Sequence, residues 1–442
     1  MQKKHNNIVI VNGINYWNIG DLGITDSMVA LFRKKFPDAD MSILTPYSNW
    51  VKPSKTCLES VVTEVPDLFL FPSKETMDSF FPKLTFFIGL CLKFIRITFY
   101  FFIYRLFNVR LRWLLTSVER KAVQVYESAD VVISKGGGFL FDHGRFVISP
   151  HAFPLIIARV LKKPVVIYAQ SVGPFKRSMS KNIYKKIFSK MDVIIVREKE
   201  SQELLKSMGI SSVLGMDAAF TLPQTNNKEE KEVINLKVGA ARKSHKMTIG
   251  GSLLEWHFPY HKKEKVAVLY TNYITAYAET VSYLKEKYNA FFYFFPHSVD
   301  GLEKDDRAAI KKMIGMSKLE KSDYEIVDGQ HNPRILSYFL GQLDICIGSR
   351  MHSNIFTLLG GTPLVAISYL PKTRGIMSLF GLEKNVCEID TVTYTELRNL
   401  TENVLQEKDA LREYISRKAE DVAYEAEQNS SYLLEYLQTE SS

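Results

Sequence analysis

Residues 345–375 read ICIGSRMHSNIFTLLGGTPLVAISYLPKTRG, the most informative pattern in the chain. A strand ends at Ile347, the loop GSRMH follows, and an apolar helix begins near Ser353. That helix ends at Gly360–Gly361, and Thr362–Pro363 introduces a second apolar strand. This succession of strand, helix and strand predicts a βαβ unit of a parallel sheet.

Side chains suited to binding an anion follow both strands of this unit. Arg350 and His352 lie beside the N-terminus of the helix, whose free N–H groups favour an anion. Lys372 follows the second strand, and Ser349 lies in the first loop. Parallel strands end at one edge of a sheet, so we expect these groups to surround one small anion. The alternative is a set of unrelated surface residues.

The same alternation extends through the whole chain, which predicts two doubly wound α/β domains. The expected strands are 8–11, 41–44, 130–133, 164–169, 192–196 and 212–214, and then 247–253, 290–295, 324–327, 343–347, 364–368 and 386–389. We expect an N-terminal Rossmann-like domain (1–224), a linker (225–243), a C-terminal Rossmann-like domain (244–393) and a C-terminal segment of one or two long helices (394–442).

Composition narrows the class of protein. The chain has 442 residues, 46% of them hydrophobic and 24% charged, which excludes a disordered or collagen-like protein. Its net charge of +9 favours anionic partners: phosphorylated metabolites, acidic lipids or nucleic acid. The first apolar run, 8–11, is too short for a signal peptide. The cysteines are far apart and lack zinc spacing, so we interpret them as reduced core residues of a cytosolic protein: Cys57, Cys91, Cys346 and Cys387.

One segment does not fit the alternation. Residues 84–107 are apolar and aromatic, interrupted by Lys93, Arg96 and Arg105. Placing a basic residue near a bilayer centre costs about 2.5–3.5 kcal/mol, whereas each Leu, Ile or Phe favours insertion by about 0.3–0.6 kcal/mol. Hydropathy alone therefore does not decide whether this segment spans a membrane. The strands on either side are predicted to share one sheet, which argues against a membrane span. Two interpretations stay open: a core helix in an insertion at 84–115, or a patch at 84–112 that docks on acidic lipid.

Other strand ends carry candidate binding residues. Arg197 directly follows the strand 192–196, where it is a second anion clamp or a salt-bridge partner of Glu198 or Glu200. The glycines Gly136, Gly137 and Gly138 permit close approach of a ligand or serve only as a turn, and they do not form the dinucleotide fingerprint.

The long first loop, 13–21, and the end of the strand 290–295 offer candidates for proton transfer. Asp21 is positioned either to accept a proton from a sugar hydroxyl or to cap the following helix. His297 is a reserve candidate for acid–base chemistry.

In order and spacing, a series of motifs resembles the polysaccharide pyruvyl transferase family over about residues 10–385. The motifs are NIGD (18–21), SKGGG (134–138), YAQSVGP (168–174), VRE (196–198), FPHS (295–298), SRMH (349–352) and YLPK (369–372). The resemblance implies a GT-B-like fold of two facing Rossmann-type domains, with the acceptor on 1–224 and the donor on 244–393. It also implies transfer of pyruvate from phosphoenolpyruvate to a sugar as a cyclic ketal. The insertion at 84–107 lies outside the family pattern and leaves the acceptor open.

The resemblance also suggests roles for the candidate residues. Arg197, Arg350 and Lys372 would neutralise the phosphate and carboxylate of phosphoenolpyruvate, with Ser349, His297 and the glycines as further substrate contacts. His352 would be the acid or the phosphate-side partner. The first choice for the base is Asp21 and the second is Asp142. We expect no metal and no cofactor beyond the donor substrate, because cationic side chains stabilise the charge.

The expected protein is therefore a pyruvyl transferase of cell-surface polysaccharide synthesis, for an exopolysaccharide or capsule. We expect it in the cytoplasm, with peripheral contact to the inner face of the cell membrane open, and with no nucleic acid partner. Its acceptor would be a nucleotide-linked or lipid-linked sugar, and the aromatic, basic insertion favours the lipid-linked form. The alternative is a GT-B glycosyltransferase that uses a nucleotide sugar. That alternative needs an acidic residue for the ribose, for which Glu383 is the nearby candidate.

Overall fold

The computed structural model describes residues 7–46, 62–70, 80–142, 147–299, 305–329 and 332–439. Within these ranges the chain forms two compact α/β units. Unit 1 contains the described residues of Met1–Tyr16, Ile24–Thr221 and Glu425–Ser442, and unit 2 contains those of Trp17–Gly23 and Leu222–Tyr424.

Unit 1 is built on a parallel sheet in the strand order β3-β2-β1-β4-β6-β7-β8, with β5 beside β6. Its strands are β1 (Asn7–Val11), β2 (Asp40–Thr45), β3 (Thr63–Pro66), β4 (Val131–Ser134), β5 (Gly137–Leu140), β6 (Val165–Val172), β7 (Val193–Val196) and β8 (Val213–Leu214). The helices of this part of the chain are α1 (Ile19–Lys35), α2 (Phe80–Phe107), α3 (Ser117–Ser128), α4 (Phe153–Val160), α5 (Ser178–Phe188) and α6 (Lys199–Ser207).

Unit 2 has a six-stranded sheet in the order β11-β10-β9-β12-β13-β14, which is the Rossmann order 3-2-1-4-5-6. Its strands are β9 (Met247–Ser252), β10 (Ala290–Phe294), β11 (Tyr324–Ile326), β12 (Ile345–Gly348), β13 (Leu364–Ser368) and β14 (Val386–Glu388). The helices are α7 (Lys228–Ser244), α8 (Lys263–Tyr288), α9 (Asp306–Met316), α10 (Pro333–Gly341), α11 (Met351–Leu359), α12 (Pro371–Leu379), α13 (Tyr394–Gln406) and α14 (Lys408–Glu427); α15 (Asn429–Thr439) follows in unit 1.

Burial on both faces explains why β-branched runs form these strands. Every residue of β4 and of β13 is buried, as expected for parallel strands covered by helices on both sides. Such strands are apolar throughout rather than alternating, which is the pattern that the sequence shows. All twelve expected strands are confirmed, and both halves of the chain are Rossmann-like.

The sequence-based prediction missed two strands. β3 has only four residues, TEVP, and ends in proline. β5 contains Gly137 and Gly138, which we expected in a loop, and it pairs with β6 through an irregular register. Each strand has four residues, two of which are of types depleted in sheets: Glu and Pro in β3 and two glycines in β5. Local propensity therefore did not reveal them.

The segment expected to be a linker is instead a helix. Most of 225–243 lies in α7, which buries Ile234, Val238 and Ala241 along one face. Its charged residues cover the exposed face, and they dominated the composition on which the linker prediction was based.

The terminal segment contains three helices rather than one or two, and the last returns to unit 1. Asn429, at the start of α15, accepts a hydrogen bond from the Met216 amide at 3.1 Å and donates one to the Met216 carbonyl at 2.8 Å. The terminal helices are therefore divided between the two units instead of forming a separate segment.

The cysteine prediction is correct in part. Cys346 and Cys387 are buried, whereas Cys91 is exposed on α2, and Cys57 lies outside the described residues. Within the described part of the chain, no helix combines the length and the apolar character that crossing a membrane requires. β2 and β4, the predicted strands on either side of α2, belong to one sheet as expected, and so does β3.

Candidate functional site

The C-terminal end of β12 leads into a buried turn in unit 2. The Ser349 amide donates to the Ser252 carbonyl at 2.9 Å, and its hydroxyl shares a hydrogen bond of 2.9 Å with that of Tyr273. Arg350 is the N-cap residue of α11, although its side chain does not cap the helix, and His352 lies in the first turn. The helix begins two residues before the predicted start at Ser353, so His352 is helical rather than in a loop.

The Arg350 side chain is held by a carboxylate that the sequence analysis did not identify. Asp306, the first residue of α9, is fully buried and accepts from Nε of Arg350 at 3.0 Å and also from Nη2. The same carboxylate accepts from the amides of His297 and Ser298, both at 3.0 Å. Asp306 therefore connects the end of β10 to the end of β12.

The pair is an ion pair at neutral pH. Burial raises the pKa of the Asp306 carboxyl, against the opposing effects of Arg350 and the two amides. Burial would lower the pKa of Arg350, but the Asp306 carboxylate outweighs burial and raises it. Arg350 is 15% exposed, and among the described residues no acceptor engages its Nη1. The guanidinium is thus fixed on one side and available to an anion on the other.

His297 lies beside this ion pair as a neutral imidazole. Burial lowers its pKa well below the ordinary value, and Arg350 and His352 lower it further. It is 3% exposed, and neither ring nitrogen has a hydrogen-bond partner among the described residues. The ring of Phe356 lies near both imidazoles, with centroids 6.1 Å from His297 and 6.4 Å from His352. Two histidines and one arginine therefore lie together in unit 2.

A small pocket opens beside His297, formed by the described residues Trp17, Ile19, Pro296, His297, Val299, Asp328 and Gly329. Its walls include the segment just before α1, which is hydrogen-bonded to the end of β10. The Ile19 amide donates to the His297 carbonyl at 3.0 Å, and the Val299 amide donates to the Trp17 carbonyl at 2.9 Å. The part of the first loop that begins at Trp17 therefore belongs to this site.

Gly20 lets α1 approach His352. A Cβ atom at Gly20 would overlap the imidazole of His352, so this position requires glycine for close packing. Asp21 lies in the first turn of α1. The helix is capped by Asn18, whose side-chain oxygen accepts from the Asp21 amide at 3.1 Å. The capping role that we considered for Asp21 thus belongs to Asn18.

Lys372 lies in the first turn of α12, after the strand that neighbours β12. Its ammonium lies 5.6 Å from the centre of the Tyr369 ring, and Tyr369 packs against Trp256 with centroids 4.9 Å apart. Tyr369 also raises the pKa of Arg350, by a smaller effect than that of Asp306. Lys372 therefore follows the strand next to that of Arg350, as its sequence position predicts, and it contacts an aromatic side chain near the ion pair.

Unit 1 contains a second arginine–aspartate pair. Arg197, 4% exposed, donates from Nη1 to Asp217 at 2.6 Å and from Nε to the Ser171 hydroxyl at 2.8 Å. The salt-bridge partners considered from sequence are wrong, because Glu198 instead accepts from the Ser201 hydroxyl. Asp217 also accepts from the Ala219 amide at 2.9 Å, which holds its carboxylate in place.

The glycine run adjoins this arginine. A Cβ placed on Gly138 would lie 3.6 Å from Nη2 of Arg197, so the backbone of β5 faces the guanidinium. A Cβ on Gly136 would come within 2.9 Å of the Ala169 carbonyl, and one on Gly137 would overlap the Phe139 ring. Close packing therefore explains glycine at positions 136 and 137, and Gly138 borders the guanidinium of Arg197.

A neutral histidine and a buried lysine lie near the same strand ends of unit 1. Nδ1 of His151 is 3.0 Å from Oδ1 of Asn12, and its ring lies 4.3 Å from that of Phe139. Lys135 is 1% exposed. Burial and the nearby Lys135 charge lower the pKa of His151 to about 3. The sequence analysis assigned no role to these residues, although Lys135 lies within the motif SKGGG.

Several important groups lacked a local sequence signal. Asp306 and Asp217 are single carboxylates whose partners are 44 and 20 residues away in sequence.

Asp142, our second choice of base, accepts from the Arg177 amide at 2.9 Å. Burial would raise its pKa, but hydrogen bonds from the backbone of residues 176 and 177 lower it, which indicates a structural role. Among the described residues, no cluster of three or more His, Cys, Asp or Glu side chains is arranged to hold a metal.

Two Rossmann-like units with charged groups at their strand ends define a GT-B-like protein. Solved structures agree on this fold. The UDP-GlcNAc 2-epimerase of Neisseria meningitidis bound to UDP-GlcNAc is 12% identical, with a TM-score of 0.57 over 98% of this chain and all of that one. A UGT transferase of Siraitia grosvenorii in complex with UDP is 11% identical, with a TM-score of 0.52 over 98% of this chain and 99% of that one.

Sequence comparison identifies the family. A model of the polysaccharide pyruvyl transferase family matches residues 18–371, and the chain therefore belongs to that family. The amylovoran biosynthesis protein AmsJ of Erwinia amylovora is 26% identical over 296 residues, which are 66% of this chain and 69% of that protein. The resemblance noted from the motifs is thus confirmed at the level of the family.

Proposed function

We propose that this protein transfers pyruvate from phosphoenolpyruvate to a saccharide during polysaccharide synthesis and forms a cyclic ketal. Family membership supports the pyruvyl transfer, and the name of AmsJ supports a polysaccharide context. The observation that carries the proposal is the guanidinium of Arg350, fixed by Asp306 at the N-terminus of α11 beside a neutral imidazole. Such an arrangement suits a small dianion that must also exchange protons.

The proposed reaction has a simple balance. A proton adds to the methylene carbon of phosphoenolpyruvate, so that positive charge develops at the central carbon. One sugar hydroxyl attacks that carbon, the bond to the phosphate oxygen breaks, and a second hydroxyl closes the ketal. Both hydroxyl protons leave, and inorganic phosphate is released. The protein must therefore bind two anionic groups and supply at least one acid and one base.

Arg350 and Lys372 are proposed to neutralise the donor, and Arg197 in unit 1 is proposed to bind an anionic group of a substrate. His352 is proposed as the acid or as the partner of the phosphate. Its imidazole lies near that of His297, with Phe356 beside both rings. Asp21 remains the proposed base, and it lies in the first turn of α1 next to Gly20, which contacts His352.

The purified protein tests the donor. It is incubated with phosphoenolpyruvate and either a nucleotide-linked or a lipid-linked saccharide, and phosphate release is measured together with the mass of the product. We expect phosphate release only when an acceptor is present. A parallel reaction with UDP-sugars and no phosphoenolpyruvate tests the glycosyltransferase alternative, and turnover only in that reaction would refute the proposal.

Two variants test the cationic groups. Arg350→Lys keeps a positive charge opposite Asp306 but removes the planar guanidinium, and we expect a loss of about 100-fold or more in turnover. Lys372→Ala removes the ammonium over Tyr369, with a similar expected loss. Lys321→Ala, an exposed lysine of the same unit, is the matched control and should leave turnover unchanged. Near-normal turnover in Arg350→Lys and Lys372→Ala would contradict the assigned roles.

A further inference from the structure

Helix α2 exposes a continuous apolar stripe. Six of its large hydrophobic side chains are between 48% and 65% exposed, and we call them the exposed stripe: Ile88, Leu92, Ile95, Phe99, Phe102 and Leu106. At about 100° per residue, the six fall within a sector of roughly 80°. The stripe is about 27 Å long at 1.5 Å per residue. An apolar surface of this length, left open to solvent, indicates an interaction site.

The opposite side of α2 is packed into unit 1. Ile97, Tyr100 and Phe101 are buried in the core of that unit, and Phe94 lies 5.3 Å from Phe153 of α4, measured between ring centroids. The helix is therefore held firmly while the exposed stripe faces outward. This arrangement combines the two interpretations left open by the sequence, because one side of α2 is core and the other is surface.

The charge near the exposed stripe is predominantly positive. Residues 88–127 contain seven basic and two acidic side chains. Glu119 is buried and pairs with Lys93 and Arg96, and Glu127 pairs with Arg110 and Arg112. Arg105, Arg120 and Lys121 are exposed, and none has an ion-pair partner among the described residues. The segment that carries the exposed stripe therefore has an excess of exposed positive charge.

Aromatic residues extend the surface beyond the end of α2. Phe107 is exposed, and Trp113, in the turn that follows, is 78% exposed. Tryptophan and arginine together suit the boundary between lipid headgroups and acyl chains, where an aromatic ring is buried and a guanidinium reaches phosphate. A second copy of this chain would bring the same positive charges against this surface, which disfavours self-association.

We propose that the exposed stripe and Trp113 dock the protein on the surface of an anionic lipid bilayer. α2 then lies along the bilayer, because its flanking strands β3 and β4 belong to one sheet and cannot be on opposite sides. The apolar side chains enter the headgroup region, and Arg105, Arg120 and Lys121 contact lipid phosphates. This surface goes beyond the proposed reaction and requires no substrate to be tested.

Vesicle sedimentation tests the docking. The full chain is mixed with phosphatidylcholine vesicles that contain or lack phosphatidylglycerol, and the bound fraction is measured at low and high salt. We expect binding to the anionic vesicles, weakened by salt because exposed charges are screened. The double variant Leu92→Glu/Phe99→Glu should lower the apparent affinity about 10-fold or more. Both positions are exposed, so circular dichroism should show an intact fold.

A matched control is available in unit 2. Leu236 on α7 is 67% exposed, so Leu236→Glu adds a charge at an equally open apolar position and should leave vesicle binding unchanged. The proposal is overturned if the wild-type chain does not bind anionic vesicles or if the double variant binds as well as the wild type. It is also overturned if the double variant only converts a dimer to a monomer in light scattering, because a second copy would then cover the exposed stripe.

Discussion

The two units each hold one arginine against one aspartate at a strand end, but the surroundings of the two pairs differ. In unit 2, Asp306 is fully buried and joins Arg350 to two backbone amides, with two histidines close by. In unit 1, Asp217 joins Arg197 to the Ala219 amide, and the Ser171 hydroxyl and the glycine strand β5 also lie beside Arg197.

This difference leads us to propose different roles for the two arginines. Arg350 stands beside His352, which we propose as the acid, so we expect its site to couple anion binding to proton transfer. Arg197 lies beside a hydroxyl and backbone, so its site suits binding alone. His151 of unit 1 contacts Asn12 and, like His297 of unit 2, is kept neutral because burial lowers its pKa.

The largest expected effect is on stability, and it tests how differently the two aspartates are used. Asp306→Ala leaves the buried Arg350 unpaired and should cost about 3–5 kcal/mol of unfolding free energy. Asp217→Ala removes the partner of Arg197, which is 4% exposed, and should also cost about 3–5 kcal/mol. Urea unfolding, followed by hydrogen exchange on peptides from each unit, measures both losses.

The control for this pair is Asp421→Ala, an exposed position on α14, which should change stability by less than about 0.5 kcal/mol. Equal losses for Asp306→Ala and Asp217→Ala would show that the two pairs stabilise the fold alike, so that the proposed distinction between them rests on the histidines alone. A loss of less than about 0.5 kcal/mol in either variant would contradict the prediction.

A smaller effect is expected from crowding the imidazole of unit 2. Gly20→Ala places a methyl group where the His352 ring lies, so the ring must move. A displacement of about 1 Å at a catalytic group costs on the order of 100-fold in turnover. Phosphate release from phosphoenolpyruvate measures it. Gly239→Ala in α7, where a Cβ meets no atom within 4 Å, should have normal turnover. Unchanged activity in Gly20→Ala would exclude His352 from the reaction.

The smallest effect per unit change is on pH dependence, and it involves one histidine from each unit. The pKa values of His151 and His297 are lowered in the folded protein, so below about pH 6.5 the unfolded chain binds protons there that the folded chain does not. Unfolding free energy should therefore fall with decreasing pH, by about 1.4 kcal/mol per pH unit for each histidine. For His151 this loss continues towards about pH 3.

Unfolding at several pH values measures this slope. His151→Gln and His297→Gln should each reduce it, and His257→Gln, at an exposed position, should not. A slope that is the same in all three variants would mean that neither buried imidazole stays neutral in the folded protein.

Much of the fold follows from local patterns. The buried parallel strands are visible as apolar runs, which is why all twelve expected strands are present and why Arg350 and Lys372 follow neighbouring strands. Prediction failed where the composition of a segment reflects only its exposed face. The composition of α7 predicts a linker, because its charged residues outnumber the three that it buries.

The sequence by itself determined the alternation of strands and helices, the family, and the residue types at the strand ends. Only the tertiary structure decided which carboxylate each arginine meets and which side of α2 is exposed. The reason is physical. Periodicity reports the burial of nearby residues, whereas a contact such as that between Asp306 and Arg350 depends on the order of strands in the sheet, which no local pattern contains.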